Sequence, residues 1–273
     1  MVGGSMRSGT TVIHRALCQA KNSNPFISES WYLLELMGIH ERGVTRFDMR
    51  AKDQFGEVEA FEDFIRRDIQ AYFAAIANKY GNPEVLILKH PELTKNFATL
   101  KRLAPQMKFL VVVRDPRDVV ASMKNVIKRH RDQNLLTPFT RSLQTMNDYC
   151  AHYIGYYGKL FAERESIGED LMIVRYEDVV TDPVDAFSKI GAFSGAVYEG
   201  DAMKSYDPDE TESKYLVRDE RVKDKISEAF WSEMYTKELS ADSVRAYKDI
   251  LTLPEVNDIE STLAQVGKTW GYW

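Results

Sequence analysis

Eight residues near the start of the chain, Gly4-Ser5-Met6-Arg7-Ser8-Gly9-Thr10-Thr11, have the make-up of an anion-holding loop. Two glycines five positions apart allow a tight turn that presents backbone N–H groups to a phosphate. Residues 12–18 read as a helix start, whose dipole adds to the attraction. Thr10 stands where a nucleotide triphosphatase has its loop lysine, and Arg7 supplies positive charge from inside the loop instead. That exchange points away from ordinary ATP or GTP chemistry. Arg7 offers a fixed fork able to hold two oxygens and remains charged at any working pH.

Two further clusters sit where such a loop needs partners. The run 108–113 is continuously apolar from Phe109, as expected of a parallel strand buried on both faces. It breaks into Arg114-Asp115-Pro116, which predicts a helix capped by Asp115 with Pro116 at its first position. Arg114 then stands at the carboxyl end of a strand, where open α/β sheets bind ligands. Ser122 follows two helical turns on. The third cluster, 171–178, is another buried-type strand ending in Arg175-Tyr176-Glu177-Asp178. Asp182-Pro183 then opens a helix that Gly195 closes. Residues 84–89 read as one more strand, ending in Lys89-His90-Pro91.

Together the three clusters resemble the sulfotransferases that use 3′-phosphoadenosine 5′-phosphosulfate (PAPS). The resemblance covers residues 1–195 well and the remainder loosely. It implies an α/β fold, a parallel sheet flanked by helices of the P-loop nucleotide-kinase-like sulfotransferase type, as a single domain over 1–273. It implies that Arg7, Ser8, Gly9, Thr10 and Thr11 hold the 5′-phosphosulfate, that Arg114 and Ser122 hold the 3′-phosphate, and that Tyr176 supports the adenosine or reaches the phosphate. A later basic residue closes on the cofactor in this family; Lys223 matches it, with Arg221 and Lys225 as alternatives. PAPS would be the co-substrate and 3′,5′-ADP the product, with no metal. The cytosolic branch has an arginine-lysine-glycine motif and a tryptophan after the loop threonines. This chain has neither, and Val12 fills the second position, which turns the likeness toward the bacterial and carbohydrate-and-tyrosine-sulfating branches.

The general base has two candidates. Glu29 follows the first helix, roughly where several branches of the family place a catalytic glutamate; a carboxylate in a partly dry pocket can accept an alcohol proton. His90 follows Lys89 at a strand end, and imidazole is the usual near-neutral base. It lies one residue after the lysine, where the cytosolic branch has its histidine two after. Lys89 could itself approach the transferring group.

The rest of the chain bounds these readings. A length of 273 residues, 44% hydrophobic and 28% charged, suits one large α/β domain. A net charge of −5 gives no general attraction for nucleic acid or anionic membranes. Cys18 and Cys150 each lie in an apolar helical pattern and read as buried thiols. No stretch approaches a membrane span and no signal peptide precedes the loop, which predicts a cytoplasmic protein. Helices are expected over 10–20, 31–37, 57–80, 93–103, 117–129, 139–165 and 255–266. The charged passage 201–239 could be a cover over the cofactor or an ordinary surface loop. Two other functions fit parts of the pattern: a P-loop kinase of a small metabolite, and a non-catalytic nucleotide-binding module. The acceptor stays open among carbohydrate, lipid, polyketide, phenol and peptide-tyrosine hydroxyls or an amine.

Overall fold

The computed structural model describes residues 1–135, 137–199 and 240–273. Strand β1 (Val2–Gly4) leads through the glycine loop into α1 (Thr10–Leu17), followed by α2 (Trp31–Thr45) and α3 (Val58–Lys79). A 3-10 turn, Pro91–Asn96, feeds α4 (Phe97–Leu103). Strand β2 (Phe109–Val113) then leads into α5 (Pro116–Asp132), and α6 (Met146–Ile167) into β3 (Leu171–Arg175). After β3 come α7 (Tyr176–Thr181) and α8 (Pro183–Ser194), and the described chain ends with α9 (Leu253–Thr262) and α10 (Ala264–Trp270).

The described strands form one parallel sheet in the order β1-β2-β3. Val2 pairs with Leu110 and Gly4 with Val112; Phe109 pairs with Leu171 and Val113 with Arg175. All five residues of β2 are buried. Because strand side chains alternate, Phe109, Val111 and Val113 join one core while Leu110 and Val112 join the other. The first core takes in α6 through Tyr153, Tyr157 and Leu160. The second takes in Ile13 and Leu17 of α1 and Phe187 and Ile190 of α8. Helices therefore cover both faces, as a continuous apolar strand requires.

Local signals set most boundaries. The Asp115 carboxylate accepts the Arg117 N–H at 2.9 Å with Pro116 at the first helical position. Asp182 does the same for α8, which ends on Gly195 at φ 83°. On α3, Phe61, Ile65 and Ile69 are buried and Phe64 is exposed, so the aromatic-rich stretch is a packing face. Cys18 and Cys150 are buried and not joined in a disulfide.

Several expectations differ: the helix over 93–103 is α-helical only from Phe97, after a 3-10 turn, and that over 255–266 breaks at Leu263. Residues 84–89 run beside β1 and Asn22 but make only single parallel bridges, Val2 with Lys89 and Ser23 with Val85. The expected helix over 139–165 is split into Pro138–Ser142 and α6. There the Thr145 hydroxyl accepts the Asp148 N–H and the Asp148 carboxylate accepts the Thr145 N–H, at 3.2 and 2.7 Å. That reciprocal cap starts a new helix inside the pattern. Finally, 171–178 is neither strand to its end nor buried throughout: β3 stops at Arg175, Tyr176 begins α7, and within β3 only Val174 is buried while Ile173 is exposed. No helix among the described residues is long and apolar enough to cross a membrane.

Candidate active site

The glycine loop is shaped by close backbone approach. Gly4 has φ 137°, and a Cβ there would stand 2.4 Å from the Val112 carbonyl of β2. Gly9 has φ 90°, and a Cβ there would stand 2.3 Å from the Tyr176 ring. No L-residue fits either place without displacing the sheet or the tyrosine. Side chains from other elements hold the loop: the Gly4 N–H donates to Thr94 Oγ1 at 2.7 Å, and the Ser5 N–H to the Tyr157 hydroxyl at 2.8 Å. That hydroxyl donates in turn to the Val112 carbonyl. Arg7, at φ 68°, adopts the left-handed conformation at the loop tip.

Helix α1 begins directly after Gly9, with no side-chain cap and no acidic residue in its first turn. Its leading N–H groups are thus not spent on a carboxylate, which suits an anion at this end of the helix. A cavity of about 490 Å³ opens here, lined by Arg7, Gly9, Thr11, Arg114, Ser122 and Tyr176 among others. The three sequence clusters therefore meet in one place. Ser8 and Thr10 are buried, and the Ser8 hydroxyl donates to the Ser5 carbonyl at 2.7 Å. Lys223 lies outside the described residues.

Arg7 and Arg114 occupy the cavity wall with defined geometry. Arg7 Nε donates to Ser122 Oγ at 3.0 Å. Arg114 donates through Nη1 to the Arg7 carbonyl at 3.2 Å and through Nη2 to the Ser243 carbonyl at 2.5 Å. Its guanidinium lies 4.6 Å from the centre of the Tyr176 ring. The third guanidinium nitrogen, Nε, is buried without a hydrogen-bond partner. A buried N–H left so costs about 1–3 kcal/mol, and a negative charge bound near the guanidinium would offset part of it. The fit to a doubly phosphorylated nucleotide is good: two arginines, free helix-start amides, a hydroxyl and an aromatic face border one cavity.

Next to the loop stands the acid–base cluster. Lys89 Nζ donates to Thr11 Oγ1 at 3.1 Å and to Glu29 Oε1 at 2.5 Å. The other Glu29 oxygen lies 3.9 Å from His90 Nε2, which has no hydrogen-bond partner. Lys89 and His90 are buried, and the Ser30 N–H donates to the Lys89 carbonyl at 2.9 Å, fixing the two segments together. Burial holds the Lys89 ammonium below the ordinary lysine range, against the pull of Glu29. Burial also lowers His90, with Glu29 opposing. Trp31, 57% exposed, meets the His90 ring edge-on at 4.6 Å, so an open aromatic surface borders the cluster. Glu29, His90 and Lys89 thus come together as one group that touches the loop.

Other residues have structural posts. Glu177 accepts the Asp115 N–H at 2.8 Å and the Tyr272 hydroxyl at 3.0 Å, tying α7 to α5 and the chain end. Trp270 packs on Tyr157, with ring centres 4.9 Å apart. Sequence reasoning missed the opposite wall of the cavity, contributed by Ser240, Asp242 and Ser243. These residues carry no motif, and nothing within reach of them along the chain marks them.

Comparisons with known proteins point to one family. A family model described as "Sulfotransferase family" matches residues 1–200. The human "Protein-tyrosine sulfotransferase 1" is 30% identical over 152 residues, 53% of this chain and 40% of that protein. The chicken "Protein-tyrosine sulfotransferase 2" is 27% identical over 202 residues, 71% of this chain and 50% of that protein. The aligned part thus spans half or less of these relatives. Two solved structures share the fold: the "Sulfotransferase Domain from the Synechococcus PCC 7002 Olefin Synthase" and the "Sulfotransferase Domain from the Curacin Biosynthetic Pathway". Their TM-scores are 0.55 and 0.53, at 17% and 16% identity. Each covers 96% of this chain, and 93% and 96% of its own.

Proposed function

The chain belongs to the sulfotransferase family, and from that premise we propose that it moves a sulfuryl group from PAPS to a hydroxyl or amine acceptor. The observation that carries this reading is the Lys89 bridge, which joins Thr11 of the phosphate loop to Glu29. It puts a proton acceptor and a cation beside the place where the loop would hold the donor's reacting end. PAPS supplies an activated sulfuryl group. Arg7, the α1 amides and Thr11 bind the 5′ end; Arg114 and Ser122 bind the 3′-phosphate; Tyr176 stacks behind Arg114.

Glu29 takes the acceptor's proton as the acceptor oxygen bonds to sulfur and the bond from sulfur to the 5′-phosphate oxygen breaks. Arg7 and Lys89 stabilise the charge that builds on the departing oxygen. His90 stands behind Glu29 as the alternative base. A kinase reading has less support, because Thr10 replaces the loop lysine of that class. A non-catalytic module has less support as well, because it would have no use for a carboxylate held against the loop by a buried lysine.

Thermal shift in chelator with 3′,5′-ADP, 5′-AMP and, separately, ATP plus magnesium tests the reading. Selective stabilisation by 3′,5′-ADP is expected. Equal response to 5′-AMP, or a preference for ATP with magnesium, overturns it.

A further inference from the structure

Four residues after Arg114, in the first turn of α5, lies a carboxylate that the reaction as described does not use. Asp118 is 2% exposed and stands in the lining of the same cavity. Its Oδ2 accepts the Arg245 N–H at 2.8 Å and its Oδ1 accepts the Tyr247 N–H at 2.9 Å. Both partners are backbone groups about 130 residues away in the chain. Arg245 sits at φ 62°, a left-handed conformation that non-glycine residues adopt only when their surroundings hold them there. The Arg117 guanidinium lies 4.5 Å from the Tyr247 ring and clamps the same segment from the preceding residue of α5.

The segment so held forms the far wall of the cavity through Ser240, Asp242, Ser243, Ala246 and Ile250. Ser243 is its working residue. Its carbonyl accepts from Arg114 Nη2 at 2.5 Å, and its hydroxyl pairs with the Tyr176 hydroxyl at 2.8 Å. Two side chains assigned to the nucleotide therefore take part of their orientation from one serine. That serine is placed by amides two and four residues later, on Asp118. The same carboxylate stands 3.9 Å from Arg114 Nη2, so it steadies the arginine directly as well.

We propose that Asp118 is a positioning residue of the nucleotide site, which seats Ser243 against Arg114 and Tyr176 by fastening the amides of Arg245 and Tyr247. The inference rests on the PAPS reading for the identity of the ligand, while the fastening itself does not. Asparagine at this position keeps one acceptor oxygen, turns an NH2 toward a backbone N–H and leaves Arg114 without its neighbouring charge. Burial already pushes the Asp118 carboxyl above its ordinary range, with Arg114 and the two amides pulling the other way, so the ionised form depends on these partners.

The experiment pairs amide hydrogen exchange with calorimetry on the full chain. In Asp118→Asn the amides of Arg245 and Tyr247 should exchange faster, and the Kd for 3′,5′-ADP should rise about tenfold or more. With an acceptor in hand, KM for PAPS should rise more than kcat falls, a split that general destabilisation does not produce. Ser243→Ala leaves the Asp118 bonds intact and removes only the contact with Tyr176, so it serves even if Asp118→Asn does not fold; its Kd should rise about threefold or more. Parent-like affinity in Asp118→Asn despite faster exchange overturns the proposal, as does weaker binding with unchanged exchange. If Asp118→Asn does not fold, parent-like affinity in Ser243→Ala overturns it. A parent chain that binds no 3′,5′-ADP sinks the nucleotide reading and this inference with it. A parent that binds, matched by both variants, sinks the inference alone.

Discussion

Arg7 Nε donates to Ser122 Oγ across 3.0 Å, joining the loop after β1 to the second turn of α5. A serine hydroxyl has one proton to give and two lone pairs to accept with. Accepting from Arg7 therefore leaves Ser122 its proton for a phosphate. The contact also carries positive charge toward the end of the cavity assigned to the 3′-phosphate, so the residues proposed for the two ends of the nucleotide are linked.

Ser122→Ala should weaken 3′,5′-ADP by roughly tenfold while changing 5′-AMP little, because only the former has a 3′-phosphate to lose the contact. Arg114→Ala should do so by one to two decades, about 1.5–3 kcal/mol, as expected for a charge-assisted bond. Calorimetry in chelator gives both values. Equal losses for the two nucleotides would remove the 3′-phosphate from this pair.

Arg7→Ala should reduce turnover more than it weakens 3′,5′-ADP, since that product lacks the sulfuryl group. A well-placed charge-stabilising donor contributes about 2.7–4 kcal/mol to the barrier, or about 10²–10³ in rate. The Ser122 contact adds a smaller loss of product affinity. Steady-state rates set beside product Kd values decide it. A dominant effect on product binding would exchange the roles of Arg7 and Arg114.

Glu29→Gln should leave 3′,5′-ADP binding near that of the parent and lower sulfuryl transfer by about 10²–10⁴-fold, the range for a lost general base. His90→Asn should cost less, because its Nε2 stands 3.9 Å from Glu29 and burial already disfavours its charged form. An acceptor screen with labelled PAPS has to come first. Near-normal turnover in Glu29→Gln with loss in His90→Asn would make histidine the base.

Away from the site, Glu62 of α3 ties α2 to α4. It pairs with His40 Nε2 at 2.8 Å and with both terminal nitrogens of Arg102, one of them at 2.6 Å. The Arg102 bonds chiefly hold its carboxyl down at about 2, from an ordinary 4.5. A depressed carboxylate stabilises the fold fully above its unfolded pKa, and that contribution fades as pH falls from about 4.5 toward about 2. Arg102 is half exposed, so solvent screening limits the worth to about 1–2 kcal/mol. Glu62→Gln should lower stability by that amount near neutral pH, and the gap should close with acid. Urea melts across the acid range measure it; a gap that stays constant would rule out the carboxylate charge as the cause.

What could be read from the sequence was what is decided over a few neighbouring residues. The all-apolar run of β2, the Asp115-Pro116 and Asp182-Pro183 helix starts, the Gly195 stop and the glycine loop all hold, since burial pattern, capping and backbone freedom act locally. Thr145 shows the limit even there: its reciprocal cap with Asp148 interrupts a helix whose apolar spacing runs straight through it. Residues 84–89 have a strand's composition, yet they form only single bridges, because pairing depends on what lies alongside. Only the tertiary structure brought Lys89 between Thr11 and Glu29, set Ser243 on Arg114, and gave Asp118 two backbone amides to hold. Those partners lie 60 to 129 residues apart and carry no shared spacing. Their meeting is a result of how the helices pack on the two faces of the sheet.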